Sequence, residues 1–326
     1  MSSSVLEKRQ FRDPAQRLFR LVDTLEPRFR RQFQNMLSLV KNDLTVARLT
    51  RLIETGQQQE AFNVIRAHVE QLASRYNAGY IEAGQDTAQV LSGYTRPLVV
   101  TFNVVNERAV RIMQNNQLNF VREFTREQTE ATRQALIRGV REGLNPRAQA
   151  RAFRDSIGLT SRQEAAVNNY SRLLRENNRQ ALERGLRDRR FDGTVRRAIN
   201  NGKPLTDGQI DRMVGRYRER YLKYRSEVIA RTEALQAAHE GTEEMFNQAI
   251  ENGNIRADQL QARWHTRQDG RQRDSHDAMA GQTRRHGEPF VSGGGNLIRY
   301  PGDPQAPAEE IIQCRCAVSR TIKDEN

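Results

Sequence analysis

The pattern that most restricts the fold of this chain is a helical repeat of apolar residues through residues 1 to about 250. From residue 102 to about 141, apolar residues recur at steps of three, four and seven, which places most of them on one helical face. Strand-like alternation is almost absent here. Only 37% of all residues are hydrophobic, below the usual ~45–50%. We therefore expect a mainly α protein with an elongated helical body and a thin core, which disfavours a β-sandwich.

Capping signals divide the second half of this helical region. Asn145 followed by Pro146 is typical of a helix start. Asparagine caps the first turn, and the N–H group that proline lacks would have no partner in that turn. Two capping boxes, which begin further helices, are Thr160 with Gln163 and Thr206 with Gln209. The pattern predicts a short helix to about residue 155, a longer one over 160–186, and a loop with a weak short helix within 188–204.

The most regular pattern follows residue 206. Apolar and aromatic residues alternate there at steps of four and three: Ile210, Val214, Tyr217, Tyr221, Tyr224 and Val228. This spacing predicts a narrow seam that packs against another helix of the protein or of a partner. The next seam position is Arg231, and a charge on a seam is paired, extended to its edge or functional. A surface pair with Glu227 is the simplest alternative for that arginine.

The composition of the sequence changes near residue 250. Glycine and proline cluster beyond it, and short extended segments are predicted at 262–266, 289–291, 296–300 and 316–322. These features indicate a small, loop-rich α+β domain. We expect three parts: a helical N-terminal region over 1–157, a second helical part over 158–250, and the α+β tail over 251–326.

Charge is distributed unevenly between these parts. The chain has a net charge of +13, whereas the basic and acidic residues of 251–326 cancel. A basic helical body suggests binding to a nucleic acid, an acidic partner or a membrane face. Much charge of this kind, however, is simply the solvated surface of helices. The best candidates for contact with DNA or an acidic partner are Arg187, Arg189, Arg190, Arg196, Arg197, Arg212, Arg216, Arg218 and Arg220. No apolar run approaches the ~20 residues that span a bilayer.

The tail holds both cysteines of the chain, Cys314 and Cys316. On a strand their side chains would share one face, where they could bind a structural metal such as Zn²⁺ with His276 and Asp269. His265 and His286 are alternative ligands. Two other interpretations stay open: the thiols pack as small apolar groups under an Asp/His network, or they form a strained disulfide or redox pair.

Several marked residues of the tail follow one another in a distinctive order. An Arg231-Thr232-Glu233 step on a helix precedes Trp264, Asp269 and His276, and a Pro301-Gly302-Asp303-Pro304 loop leads to Cys314-Arg315-Cys316. Over roughly residues 158–322 this arrangement resembles the Mu F-like phage head morphogenesis family, whose members are minor capsid or minor head proteins. The family pattern often has asparagine where this chain has Gln313.

The resemblance implies a structural, non-enzymatic protein of a tailed phage or prophage. Such a protein is assembled in the host cytoplasm, lies in the virion at the portal vertex or head interior, and acts in head assembly and in DNA packaging or ejection. Its implied partners are the portal protein, capsid or scaffold proteins, and packaged double-stranded DNA. The resemblance also favours Arg231 as a clamp on the tail, with Glu233 beside it and Trp264 as the apolar anchor.

Three other functions remain open at this stage. A polymorphic-toxin or effector-associated protein could reuse the same domain. A metal-dependent hydrolase could be built on His265, Asp269 and His276, although no nucleophile or second carboxylate is placed beside them by the sequence. A general DNA-binding protein could act through the arginines of 187–220.

Overall fold

A computed structural model of the chain describes residues 14–94 and 99–323. It is 69% helical, with a small C-terminal region of short antiparallel strands, which confirms the mainly α class. The chain forms two compact units. The first contains the described residues of Met1–Phe33, Leu72–Leu118 and Glu227–Asn326, and the second contains Gln34–Gln71 and Asn119–Ser226. The division at residues 157 and 250 stays a prediction.

The α-helices of the described residues are α1 (Pro14–Asp43), α2 (Val46–Glu54), α3 (Gln58–Tyr94), α4 (Glu107–Arg141), α5 (Pro146–Ser156), α6 (Ser161–Arg175), α7 (Asp192–Asn201), α8 (Asp207–Glu251), α9 (Asp274–Asp277) and α10 (Ala308–Ile311). The strands are β1 (Leu260–Thr266), β2 (Thr283–Arg285), β3 (Phe290–Val291), β4 (Leu297–Ile298) and β5 (Cys316–Ile322). Helices α1, α3, α4 and α8 each contribute residues to both units. None of the helices in the described part is long and apolar enough to cross a membrane.

The capping signals of the sequence begin helices as expected. The Asn145 side chain accepts a hydrogen bond from the backbone N–H of Ala148 at 2.9 Å, with Pro146 in the first turn of α5. At the start of α6, the reciprocal capping box of Thr160 and Gln163 is formed. Each bond pairs an N–H group that the first turn of a helix would otherwise leave unpaired.

The longer helix predicted over 160–186 ends early, at Arg175. Asn177 adopts a left-handed backbone with φ of 50°, and the N–H of Asn178 bonds the carbonyl of Leu173 at 2.9 Å. Asparagine tolerates this conformation better than most residues, so it stops the helix. Short 3₁₀ turns at Arg179–Glu183 and Arg189–Phe191 follow. The weak helix expected within 188–204 is α7.

The core of the second unit includes the first half of the predicted seam. Ile210, Val214 and Tyr217 are buried with residues of α6, and the rings of Tyr170 and Tyr217 lie 4.4 Å apart. At Tyr224 the seam does not pack within the unit, because this residue is 45% exposed. Arg225 is buried in its stead. An α-helix of 3.6 residues per turn drifts away from a 3.5-residue repeat, so the buried face moves by one position.

The first unit contains both sheets. β1 pairs antiparallel with β2 on one side and with β5 on the other, and β3 and β4 form a two-stranded hairpin. The four extended segments expected from the sequence coincide with β1, β3, β4 and β5. The sequence analysis missed β2, whose three residues Thr283–Arg285 are mostly polar and at least partly exposed. Such a strand has no apolar alternation to reveal it.

Helices α3 and α8 approach each other closely within the first unit. A Cβ atom on Gly241 would overlap the carbonyl oxygen of Tyr80 and lie 2.9 Å from the Cβ atom of Ala83. Helix α8 therefore needs a residue without a side chain at this point. The part of α8 that follows is fixed against α3, and it carries residues that contact the tail.

Candidate metal centre

Three buried side chains of the tail converge on one point: His276, Cys314 and Cys316. His276 lies in the single turn of α9, after the loop that leaves β1, and Cys316 is the first residue of β5. The register of the sheet places Cys316 opposite Thr266, the last residue of β1. Each of the three residues has 1% of its surface exposed. Sheet pairing therefore brings together residues that lie about 40 positions apart in the sequence.

The His276 ring is shared between the two thiols. Its Nδ1 atom lies 3.4 Å from Sγ of Cys314 and 3.4 Å from Sγ of Cys316. All three ligand atoms lie within 4.8 Å of one another. In the described residues, no other group of three or more His, Cys, Asp or Glu side chains meets this criterion.

The opposite side of the His276 ring contacts Glu310 of α10. Nε2 of His276 lies 2.9 Å from Oε2 of Glu310. This carboxylate also accepts hydrogen bonds from hydroxyl and amide donors: Ser275 at 3.1 Å, Ser292 at 2.7 Å and Asn296 at 2.9 Å. Burial raises the pKa of Glu310, but these donors more than offset it and leave the pKa below its ordinary value. An ionised Glu310 requires Nε2 to carry the proton, so the lone pair of a neutral ring lies on Nδ1.

The two thiols differ in acidity because they are adjacent. Burial raises the pKa of Cys314, but contacts with Cys316 and His276 outweigh it and lower that pKa well below the ordinary value of a thiol. The neighbouring sulfur and burial raise the pKa of Cys316. One thiolate therefore forms more readily than two, unless a cation is present to offset the second charge.

Trp264 of β1 closes one side of this group. Its ring is fully buried and meets His276 and Phe290 edge-on, with centroids 5.5 and 5.3 Å apart. By its geometry the indole Nε1–H has no hydrogen-bond acceptor among the described residues. Trp264 is therefore an apolar neighbour of this group, and its role as an anchor stays a prediction.

The other predicted ligands lie elsewhere. The Asp269 carboxylate accepts a hydrogen bond from Nε of Arg315 at 2.6 Å. His265 contacts the hydroxyl of Ser319 at 2.7 Å, and Nε2 of His286 lies 2.9 Å from Oδ1 of Asn247. The structure therefore does not assemble His265, Asp269 and His276 into one group, the arrangement on which a hydrolase was considered.

Arg231 joins α8 to the segment that carries the cysteines. Its Nε donates to the carbonyl oxygen of Cys314 at 3.2 Å, and its Nη1 donates to Glu26 of α1 at 2.9 Å. Glu227, the alternative partner, lies 3.8 Å from Arg30. Glu233 is two positions further along α8, and burial raises its pKa to about 8.

Most of the arginines proposed for DNA or an acidic partner already have acidic neighbours. The ion pairs are Arg187 with Asp192, Arg190 with Asp188, Arg196 with Asp192, Arg216 with Glu219, Arg218 with Asp155 and Arg220 with Asp188. Arg189, Arg197 and Arg212 are exposed and form no ion pair with a described residue. The charges of these three arginines are therefore the most available to an external partner.

Sequence reasoning missed Glu310. It lies 34 positions from His276 and four before Cys314, beside a second glutamate, and nothing in that spacing separates it from a surface acid. Its role depends on the loop between β3 and β4, which supplies Ser292 and Asn296. Only the folded tail brings these donors to the carboxylate.

No curated protein and no solved structure matches the chain. Residues 172–319 match a family model described as phage Mu protein F like protein. The matched segment begins in α6 and ends in β5, and it contains Arg231, Trp264, His276 and both cysteines. This segment, a little under half of the chain, is similar to the phage Mu protein F like family, and the similarity supports a phage head-related protein at the level of the family.

Proposed function

We propose that this protein is a minor head protein of a tailed phage or prophage, bound at the portal vertex or inner capsid surface. It acts in head assembly and in DNA packaging or ejection, as a structural component. The observation that carries the proposal is the family match over residues 172–319. Its partners are the portal protein, capsid or scaffold proteins, and packaged DNA.

The charge of the second unit supports a contact with DNA or with an acidic protein surface. Between Asn119 and Ser226 there are 25 basic and 13 acidic residues, a net charge of +12 within the total of +13. The first unit, which contains the tail, is close to neutral. Phosphate contacts need cations rather than a fixed motif, so a basic surface of this kind suits packaged DNA.

The test of the head assignment is the composition of isolated particles. Heads from the phage or induced prophage that encodes this chain are purified by density gradient and quantified by mass spectrometry. We expect this protein at a few copies per head, and portal-containing particles that retain it after the tails are removed. Absence from heads that contain portal and major capsid protein would contradict the proposal.

The test of the DNA contact uses charge-matched variants. A triple variant Arg189→Gln, Arg197→Gln and Arg212→Gln removes three exposed arginines that lack ion pairs. A control triple variant Arg122→Gln, Arg126→Gln and Arg133→Gln removes the same charge from exposed positions on α4 that pair with nearby glutamates. We expect the first variant to weaken DNA binding and reduce its salt dependence by about 2–3 counterions, and the control to change both much less.

Equal effects of the two triple variants would show that DNA responds only to net charge. Unchanged DNA binding by both variants would indicate that the basic surface binds an acidic protein partner instead of DNA. In that case the purified portal protein is the first candidate, and its binding is measured with the same pair of variants.

A further inference from the structure

We propose that His276, Cys314 and Cys316 bind one Zn²⁺ ion through Nδ1 and the two Sγ atoms, and that this ion is a structural crosslink of the tail. The proposal does not depend on the function in the phage head. It rests on the placement of three ligand atoms, on the hydrogen bonding of His276 and on the surroundings of the two sulfurs.

The spacing of the ligand atoms suits a tetrahedral ion. Zinc bonds of ~2.3 Å to sulfur and ~2.0–2.1 Å to nitrogen place a sulfur and a nitrogen ligand about 3.6 Å apart at the tetrahedral angle. The two observed distances from Nδ1 of His276 to sulfur are both 3.4 Å. Apolar packing of the two thiols alone does not require both sulfurs to lie at equal distance from one nitrogen lone pair.

Glu310 fixes the tautomer that a metal requires. Its carboxylate accepts from Nε2 of His276 and from three further donors, which leaves Nδ1 as the ring atom available to a cation. A histidine that ligates a metal almost always donates its other N–H to a carboxylate, a carbonyl or water. Glu310 is therefore a positioning residue and not a ligand.

The same three residue types could be compared with a nucleophilic triad, in which a thiol, a histidine and a carboxylate are connected in that order. A triad needs one thiol that a substrate can reach. Here two thiols share one nitrogen, and each cysteine is 99% buried. A closed structural site agrees better with these observations.

The proposed ion would join two segments of the tail that are far apart in the sequence. His276 follows β1, whereas Cys314 and Cys316 are at the start of β5. The tail between Leu260 and Ile322 contains only short helices and strands, and small units of this kind gain most from a metal crosslink. No fourth side chain of a metal-binding type joins the group in the described residues, so these three side chains would supply three of the four positions of a tetrahedral ion.

The first measurement is the metal content of the full-length, tag-free protein, purified under reducing conditions without chelator. We expect about one zinc per chain by elemental analysis. Replacement by Co²⁺ gives a second readout that needs no variant: thiolate-to-cobalt charge-transfer absorption together with the intense visible bands of a tetrahedral site. Folded protein that takes up neither zinc nor cobalt would overturn the proposal.

Variants then assign the ligands. Cys314→Ser, Cys316→Ser and His276→Asn should each abolish stoichiometric metal, and Glu310→Gln should weaken zinc affinity about 10–100-fold. His265→Asn is the matched control, because this half-buried histidine contacts Ser319 and lies outside the group of three ligands. If a cysteine variant does not fold, the cobalt spectrum of the unmodified protein still decides the matter. Loss of metal in His265→Asn with retention in His276→Asn would refute the assignment.

Discussion

The Nε atom of Arg231 donates a hydrogen bond to the carbonyl oxygen of Cys314, 3.2 Å away and 83 positions later in the sequence. The arginine side chain is 5% exposed and also bonds Glu26 of α1 at 2.9 Å. One planar cation thus connects two helices and the segment of the cysteines. A lysine has a single charged nitrogen and cannot reproduce this fork of donors.

We expect Arg231→Met to lower the free energy of unfolding by about 2–3 kcal/mol. The change leaves the Cys314 carbonyl and Glu26 without their charged donor, and hydrogen bonds to charged groups contribute about 1.5–3 kcal/mol. Arg231→Lys should recover less than half of the loss. Urea denaturation followed by circular dichroism measures both changes.

The matched control for Arg231 is Arg30→Met. Arg30 pairs with Glu227 at 3.8 Å, and both side chains are more than a third exposed. Surface pairs of this kind contribute about 0–1 kcal/mol. Equal destabilisation by Arg231→Met and Arg30→Met would show that Arg231 is an ordinary surface cation and not a clamp.

Gly241 provides a test of the contact between α3 and α8. We expect Gly241→Ala to destabilise the protein by about 1–3 kcal/mol, because the new Cβ atom would overlap the Tyr80 carbonyl and force the helices apart. Gly215→Ala, on the same helix with no atom within 4 Å of the added Cβ, should stabilise by up to about 1 kcal/mol through helix propensity. Thermal unfolding of the two variants should therefore shift in opposite directions.

The sequence was sufficient where structure depends on neighbours along the chain. Capping at Asn145 and at Thr160 was predicted because each cap is a contact over three residues. Strand β5 was predicted with its observed bounds, 316–322, since the strand is a continuous extended run that begins at Cys316. Arg231 was singled out because a charge interrupts an apolar seam, and its role as a clamp stays a prediction.

The sequence was insufficient where the outcome depends on tertiary contact. Glu310 could not be distinguished from the neighbouring Glu309, since only the folded loop shows which of them receives Ser292 and Asn296. Asp269 looked like a ligand beside His276, but the partner it finds is Arg315. A choice among nearby polar residues is made by the fold, and spacing along the chain does not encode it.

Stability should depend on pH through Glu240 of α8. Burial raises the pKa of this carboxyl from 4.5 to about 7, against the opposing effect of donors from Asn116, Gln236 and Tyr300. The carboxylate of Asp303 adds to the increase. Because the folded pKa is higher than the unfolded one, the contribution to stability is complete below pH 4.5 and is lost as the pH rises to about 7.

The expected loss across this interval is on the order of 3 kcal/mol, since one pKa unit corresponds to about 1.4 kcal/mol. Glu240→Gln keeps the shape of the side chain and removes its titration, so the variant should have a flatter stability profile between pH 4.5 and 7. Urea midpoints measured across this range give the comparison. Identical slopes for the variant and the unmodified protein would show that Glu240 is not the titrating group.

Adjacent residues of α8 test the register of its buried face. Arg225 donates to the carbonyl of Gly158 at 3.0 Å and to Glu127 at 2.8 Å, and its guanidinium lies 4.9 Å from the centre of the Phe124 ring. Tyr224 is the position that the seam pattern favoured, yet it is exposed.

We expect Arg225→Ala to lower the free energy of unfolding by about 2–4 kcal/mol, because it removes a buried cation whose partners stay in place. Tyr224→Ala should cost less than about 1 kcal/mol, as substitutions at exposed positions do. Chemical denaturation compares the free energies of unfolding of the two variants. A larger loss for Tyr224→Ala would show that Tyr224 is buried, as the seam pattern predicts, and that Arg225 lies at the surface.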